Sequence, residues 1–321
     1  SQTLELGGKR GARIEVASRA QDAAAQELEQ RRNLLRAEVI DGFYGALRAQ
    51  ERLELAQRSM ALAERGLVIA NGRVTAGKAS PVEATRAQVE VSQIRLERSR
   101  AEIGVSDAYP RLAAITGSAT IGFERVEAGA VKTPALPSVT QLLARLESTA
   151  ELRLAQLQIQ QRDAGLGLEK AQRIPDLDIS IGSQYDASVR ERVNLVGVSM
   201  PIPLFNRNQG NVLAASRRAD QARDLRNATE LRLRTETRQA LDLWATANSE
   251  VRAFNQVILP AAQSAVDSAT RGFEMGKFNF LDVLDAQRTL IAARTQYLAA
   301  LAQATDAWVR IERIYGDLAR I

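Results

Sequence analysis

The side chains that most often perform catalysis and hold metal ions are missing from this sequence of 321 residues, which has no histidine and no cysteine. A Ser/His/Asp triad, a cysteine nucleophile, a disulfide framework and an ordinary zinc or copper site each need one of these residues. Any reaction would rest on carboxylates, lysine or tyrosine. We therefore predict no enzyme activity, no cofactor and no metal site in this chain.

Carboxylates alone leave one enzyme class open, because a glycosidase works with two acids placed across a pocket. No pattern typical of a pocket-forming fold accompanies an acidic pair here. The 43 basic and 38 acidic residues give a net charge of +5, and they are interspersed along the chain. This distribution is typical of solvated helix faces, and we predict no nucleic-acid partner.

An internal duplication organises the chain. Gly77 to Gly117 aligns without a gap on Gly276 to Gly316, an offset of 199 residues, and 11 of the 41 aligned positions are identical. A repeat of this length indicates two similar halves rather than a solenoid of short units. The halves we predict are 1–117 and 151–316, joined by a connection with a short helix at 118–150 and followed by a tail at 317–321.

Each half has apolar residues at the spacing of a coiled coil. In the first half the alternating steps of three and four link Ala46, Ala49, Leu53, Ala56, Met60, Ala63, Leu67 and Ala70. In the second half they link Val283, Ala286, Leu290, Ala293, Tyr297, Ala300, Ala304, Ala307, Ile311 and Ile314. Such a repeat predicts long, left-handed, closely packed helices.

Glycine turns divide these long helices into antiparallel hairpins. We predict a helix from about Gly11 to Ala70 and another from about 209 to 271, with a kink at Pro260. The turns at 75–81 and 274–280 precede the returning helices. No stretch of 18 apolar residues is present, so we predict no transmembrane helix.

A β-hairpin at about 176–204 interrupts the second half. Leu177, Ile179 and Ile181 alternate with polar or small residues, as do the apolar residues from 196 to 202. Taken alone, this pattern favours a hairpin packed on a soluble core over one in a membrane. A membrane location would require several chains to close a barrel, because open strand edges are not tolerated in lipid.

Three features together resemble the TolC-like outer-membrane efflux proteins: the duplication, the tip sequence from Gly276 to Gln287, and the strand-to-helix phrase from Pro201 to Phe205. The opening from Leu4 to Arg10 further resembles the CzcC-like branch that serves cobalt, zinc and cadmium efflux. The resemblance covers nearly the whole chain. Because family members have a β-hairpin in each half, it implies that an N-terminal helix and most of one hairpin are absent here.

The resemblance implies a mainly α-helical homotrimer with a small β part. Its helical hairpins would form an α-barrel across the periplasm, and its strands a 12-stranded β-barrel in outer-membrane lipid. The partners implied are a periplasmic adaptor and a proton-driven inner-membrane RND pump. The function implied is passive exit of metal cations, with drug efflux or type I secretion as the runner-up and a soluble coiled-coil scaffold as a more distant alternative.

The resemblance also implies roles for particular residues. Those matching the periplasmic mouth of the tunnel are Asp282 and Asp285, with their first-half equivalents Glu83 and Arg86 available for a cross-repeat ion pair. Those matching the adaptor-contact tips are Gly77, Lys78, Gly276 and Lys277. We predict that Asp178, Ser180 and Ser199 face the barrel lumen and that Val196, Val198 and Met200 face lipid. For Asp282 and Asp285 a plain helix-capping role is open beside the mouth role.

Overall fold

The computed structural model describes residues 1–127, 136–188, 190–275 and 277–316. The elements in these ranges are, in chain order, β1 (Gln2–Leu4), α1 (Lys9–Thr75), α2 (Pro81–Ile115), α3 (Val139–Ala144), a 3-10 turn (Leu146–Ser148), α4 (Ala150–Ala171), β2 (Leu177–Asp186), β3 (Glu191–Ser199), α5 (Gln209–Ala253), a π-helical segment (Phe254–Ile258), α6 (Leu259–Glu274) and α7 (Phe280–Tyr315). The predicted tail 317–321 and part of the predicted connection, 128–135, lie outside the described residues.

The long helices form where the heptad pattern predicted them, and they end at glycine and proline. α1 contains 67 residues, and α2 starts at Pro81, whose missing N–H costs nothing in the first turn of a helix. In the second half, α5 and α6 are separated by the π-helical segment directly before Pro260. The interruption predicted at Pro260 is therefore a widened turn, because the proline cannot donate the usual helical hydrogen bond.

The described chain forms two compact units, and each takes residues from both sequence repeats. One unit contains 1–32 and 143–235, and the other contains 33–142 and 236–321. The sequence repeat and the spatial division therefore differ, because helices α1 and α5 each contribute to both units.

The core of the second unit is built from small side chains at the heptad positions. Ala46 and Ala70 are fully buried, and Met60 and Ala63 pack against Val91 of α2. Ala262 and Val266 of α6 form a corresponding cluster with Leu290 and Ala293 of α7. Alanine allows the helix axes to approach closely, which is why this seam needs few aromatic side chains.

The first unit contains an antiparallel sheet in the order β1-β2-β3. Thr3 lies opposite Asp178, and Asp178 lies opposite Ser199. Both hairpin strands extend further into the polar segment 186–192 than the alternation predicted, because ladder hydrogen bonds join main-chain groups whatever the side chains. β3 ends at Ser199, so Met200 lies one residue beyond the regular strand.

Candidate functional site: the helical tips and the β-hairpin

The first tip is a tight glycine turn between α1 and α2. The Lys78 N–H donates to the Arg73 carbonyl at 2.8 Å, and Gly77 has a φ of +66°, a conformation that favours glycine. Ser80 then caps α2, because its Oγ accepts a hydrogen bond from the Val82 N–H at 3.3 Å. Gly77 and Lys78 are both exposed, so this turn is open to a partner.

The second tip folds back on the end of α6. The Lys277 N–H donates to the Gly272 carbonyl at 2.8 Å, and the ring of Phe278 covers Gly272 so closely that a Cβ there would overlap it. Lys277 is exposed. Gly276, predicted as an adaptor-contact residue, lies outside the described residues.

The two tip aspartates lie in the first two turns of α7, and both are exposed. The Asn279 N–H donates to Asp282 Oδ2 at 2.8 Å, which is the reciprocal half of a capping box. Asp282 therefore has the capping role considered from the sequence, and its mouth role stays a prediction. Asp285 has no part in this cap.

Glu83 and Arg86 occupy the equivalent turns of α2. Arg86 is exposed, whereas Glu83 is half-buried and its Oε2 atom has no hydrogen-bond partner. In the part of the chain that the structure describes, neither residue forms an ion pair with Asp282 or Asp285. A latch between these four residues stays a prediction for assembled copies.

A different cross-repeat ion pair joins the halves one to two turns further along. Arg288 of α7 donates through its Nε to Glu90 Oε2 of α2 at 2.7 Å, and a terminal nitrogen of Arg288 bonds to the same oxygen. The Glu90 side chain is only 10% exposed. Sequence reasoning missed this pair, although a carboxylate three residues after Ala87 on the apolar face of α2 was an available signal.

A second cross-repeat contact lies beside an open groove of about 890 Å³ between α1, α2 and α7. Arg48 of α1 donates to Asp306 Oδ1 of α7 at 2.5 Å and to the Ala302 carbonyl at 3.3 Å. Gly42 and Gly45 line the same groove. The two ion pairs show that α7 is joined to the first-half helices by charge as well as by apolar packing.

The β-hairpin separates the predicted lumen and lipid residues onto opposite faces. Asp178 lies opposite Ser199 and Ser180 opposite Gly197, so these side chains share one face. Val198 and Val196 lie opposite Ile179 and Ile181 on the other face, where Ile181 is 77% exposed. The register therefore agrees with the grouping predicted from sequence, and which face meets lipid stays a prediction.

The alternation changes phase near the far end of the hairpin. Val193 and Leu195 project to the face of Asp178, whereas Ser183 and Asn194 project to the apolar face. The continuous aliphatic part of the apolar face thus ends at the pair Ile181–Val196, and Tyr185 lies beyond the polar pair on the same face. Sequence reasoning did not identify this limit, because it follows from the pairing register.

In the part of the chain that the structure describes, no helix is both long and apolar enough to cross a membrane. Nor do three or more carboxylates among the described residues come together in a way that could hold a metal ion.

Long antiparallel helical hairpins in a duplicated chain, joined to a small antiparallel sheet, define the TolC-like class of fold. The chain belongs to the outer membrane efflux protein family, whose family model matches residues 1–118 and 143–317. The resemblance based on the tips, the Pro201–Phe205 phrase and the duplication is confirmed, and so is the outer-membrane location.

Two relatives are named as metal-resistance proteins. The chain is 39% identical to the cobalt-zinc-cadmium resistance protein CzcC of Cupriavidus metallidurans, over 98% of this chain and 75% of that protein. It is 30% identical to the nickel-cobalt-cadmium resistance protein NccC of Alcaligenes xylosoxydans xylosoxydans, over 70% of this chain and 51% of that protein.

Solved structures share the fold. The outer membrane protein VceC of Vibrio cholerae superposes with a TM-score of 0.82 at 18% identity, covering 96% of this chain and 76% of that one. CusC superposes with a TM-score of 0.80 at 20% identity, covering 99% of this chain and 75% of that one.

Proposed function

We propose that this protein is the outer-membrane duct of a metal-efflux system, through which cobalt, zinc or cadmium ions leave the cell. The observation that carries the proposal is the 39% identity to CzcC across nearly the whole chain. The identity to NccC supports the same cargo class, divalent transition-metal cations.

The assembly we propose is a homotrimer. In the described chain, the sheet is open on the outer sides of β1 and β3, and the exposed apolar face of the hairpin needs a non-aqueous neighbour. Closure with other copies into a 12-stranded barrel satisfies the open edges, and lipid covers the apolar face. Val196, Val198 and Met200 would then face lipid, and Asp178, Ser180 and Ser199 would face water.

A periplasmic adaptor and an inner-membrane RND pump complete the proposed system. Lys78 and Lys277 are exposed on the two tips, where an adaptor would bind. The channel itself offers few soft or borderline ligands, since it has neither histidine nor cysteine and only three methionines, so metal selection belongs to the pump or the adaptor.

Deletion of the gene tests the cargo. Deleted cells should become sensitive to zinc, cobalt or cadmium and recover when the gene is supplied again. Sensitivity confined to drugs or detergents would contradict the metal assignment.

Asp282 and Asp285 are proposed to place six carboxylates at the tunnel mouth of a trimer, where they attract cations. In planar bilayers, Asp285→Ala should lower the selectivity for cations over anions. Asp282→Asn should do the same, and it keeps an oxygen that can accept from the Asn279 N–H.

The matched control is Asp224→Ala on α5, which removes the same charge from an exposed position outside the tips. Its currents should equal those of the unmodified protein. Equal ion selectivity in the Asp285→Ala and Asp224→Ala channels would show that the tip aspartates do not line the mouth of the tunnel.

A further inference from the structure

A row of exposed apolar side chains continues past the end of the hairpin into the segment Pro201–Phe205. Ile202 is 76% exposed, Leu204 67% and Phe205 92%. Ile174, just before β2, is exposed as well. A contiguous apolar surface of this kind marks contact with a partner or with lipid.

The regular strands alone are too short to cross a bilayer with their apolar face. That face extends from Leu177 to Ile181, four residue steps, which is about 13 Å of strand and about 10 Å of height at the usual tilt of a barrel strand. The outward apolar band of an outer-membrane barrel is about 25 Å tall. More than half of the band must come from elsewhere.

The far end of the hairpin supplies little of the missing height, because Ser183 and Asn194 are polar and project to the apolar face, with only Tyr185 beyond them. The Pro201–Phe205 segment can supply much of it. Met200 and Ile202 each precede a proline, which favours extended backbone. From Val196 to Pro203, before the chain bends at Leu204 and Phe205, it then covers about 17 Å of height, roughly two thirds of the band.

Basic side chains surround the end of this apolar segment that is further from the β-hairpin. Three stretches of chain meet there: Lys9 Nζ lies 2.6 Å from Asp176 Oδ1, and Asn208 Nδ2 donates to the Glu169 carbonyl at 2.9 Å. These contacts bring Arg10, Arg173 and Arg207 to the same end of the unit, all three exposed. Among the described residues, none of the three arginines takes part in an ion pair.

We infer that the Pro201–Phe205 segment lies among the acyl chains of the periplasmic leaflet, with Arg10, Arg173 and Arg207 at the level of its phosphates. The occupant of this surface is an anionic phospholipid such as phosphatidylglycerol. Continuity with the apolar face of the hairpin and three exposed arginines without ion pairs carry this assignment, which rests on the proposed outer-membrane function. One of the three, Arg207, donates through its Nε to the Pro203 carbonyl at 3.3 Å, which places its guanidinium beside the segment. Consequently, the bilayer extends past the end of β3 to the Pro201–Phe205 segment, and residues 183–188 and 190–194 project beyond its opposite side.

Site-directed spin labelling tests the position, because the chain has no cysteine to remove. The variants Ile202→Cys, Phe205→Cys, Val198→Cys and Asn194→Cys would be labelled singly and reconstituted in vesicles of phosphatidylethanolamine and phosphatidylglycerol. Accessibility to oxygen reports lipid, and accessibility to a water-soluble nickel chelate reports solvent. A matched control is Phe278→Cys, an exposed aromatic position at a helical tip.

We expect labels at 202 and 205 to show an oxygen-to-nickel ratio several-fold above that at 278 and similar to that at 198. The label at 194 should behave like the one at 278. If 198 is in lipid but 205 is open to nickel, or is shielded from both reagents by another copy, the inference is wrong and the proposed function stands. If 198 itself is open to nickel, the proposed membrane location of the hairpin fails as well.

The phosphate level has its own test, since Arg10→Gln with Arg173→Gln leaves the apolar segment and the hydrogen bond from Arg207 Nε to the Pro203 carbonyl in place. Native mass spectrometry should count fewer phosphatidylglycerol molecules retained by this double variant than by the unmodified protein. The control double variant, Arg65→Gln with Arg238→Gln, removes two exposed arginines elsewhere and should retain the unmodified number. Equal retention by both double variants would contradict the assignment of the arginines.

Discussion

The two glycine turns come from one duplicated sequence, yet their first helical residues are packed in opposite ways. Pro81 begins α2 and is exposed, whereas its equivalent Phe280 begins α7 and is only 3% exposed. Phe280 packs against Ala70 of α1 and Ala87 of α2, and its ring lies 5.8 Å from that of Phe273. One tip thus supplies an aromatic anchor, and the first-half helices supply the small residues that receive it.

The same asymmetry holds for charge. The positions equivalent to Arg288 and Glu90 are Val89 and Thr289, so the cross-repeat ion pair has no counterpart at the related positions. The two hairpins are similar in sequence, and at these positions their side chains are complementary. The second hairpin is therefore expected to depend on the first more than a pair of independent repeats would.

The largest expected effect is the loss of the aromatic anchor. Phe280→Ala should lower the free energy of unfolding by about 3–5 kcal/mol, because it removes a buried ring and leaves a cavity between helices. The control Pro81→Ala, at the equivalent exposed position, should cost less than about 1 kcal/mol. Denaturant unfolding in detergent, followed by helical circular dichroism, measures both, and equal losses would show that the tips are packed alike.

An intermediate effect is expected from the ion pair. Arg288→Ala should cost about 2 kcal/mol, because it leaves the Glu90 carboxylate nearly buried without its partner. Adding Glu90→Gln should recover part of that loss, since the unpaired charge is gone. The coupling energy of the double-mutant cycle is the measurement, and strictly additive losses would mean that the pair does not join the hairpins.

The smallest effect concerns the first turn itself. Gly77→Ala should destabilise by about 1 kcal/mol, because alanine is strained at a φ of +66°. Gly72→Ala, a few residues earlier in α1, should instead stabilise by up to about 1 kcal/mol, because a Cβ there meets no atom within 4 Å and alanine favours the helix. Thermal unfolding of both variants distinguishes the signs, and a stabilising Gly77→Ala would contradict the turn geometry.

Much of this architecture was predictable from local sequence. Heptads predicted the long helices, glycine and proline predicted their ends, and alternation predicted the hairpin and its two faces. The limits of the strands were not predictable, because main-chain pairing extends them into polar sequence. Nor was the Arg288–Glu90 pair, since spacing within one helix does not tell which face of a distant helix will meet it.

We propose that copies of this chain assemble into a hollow duct across the outer membrane. An electron cryomicroscopy map of the protein purified in detergent would show this assembly directly. We expect three copies around one continuous passage, bounded by helices and then by strands. A monomer, or a solid bundle with no central passage, would contradict it.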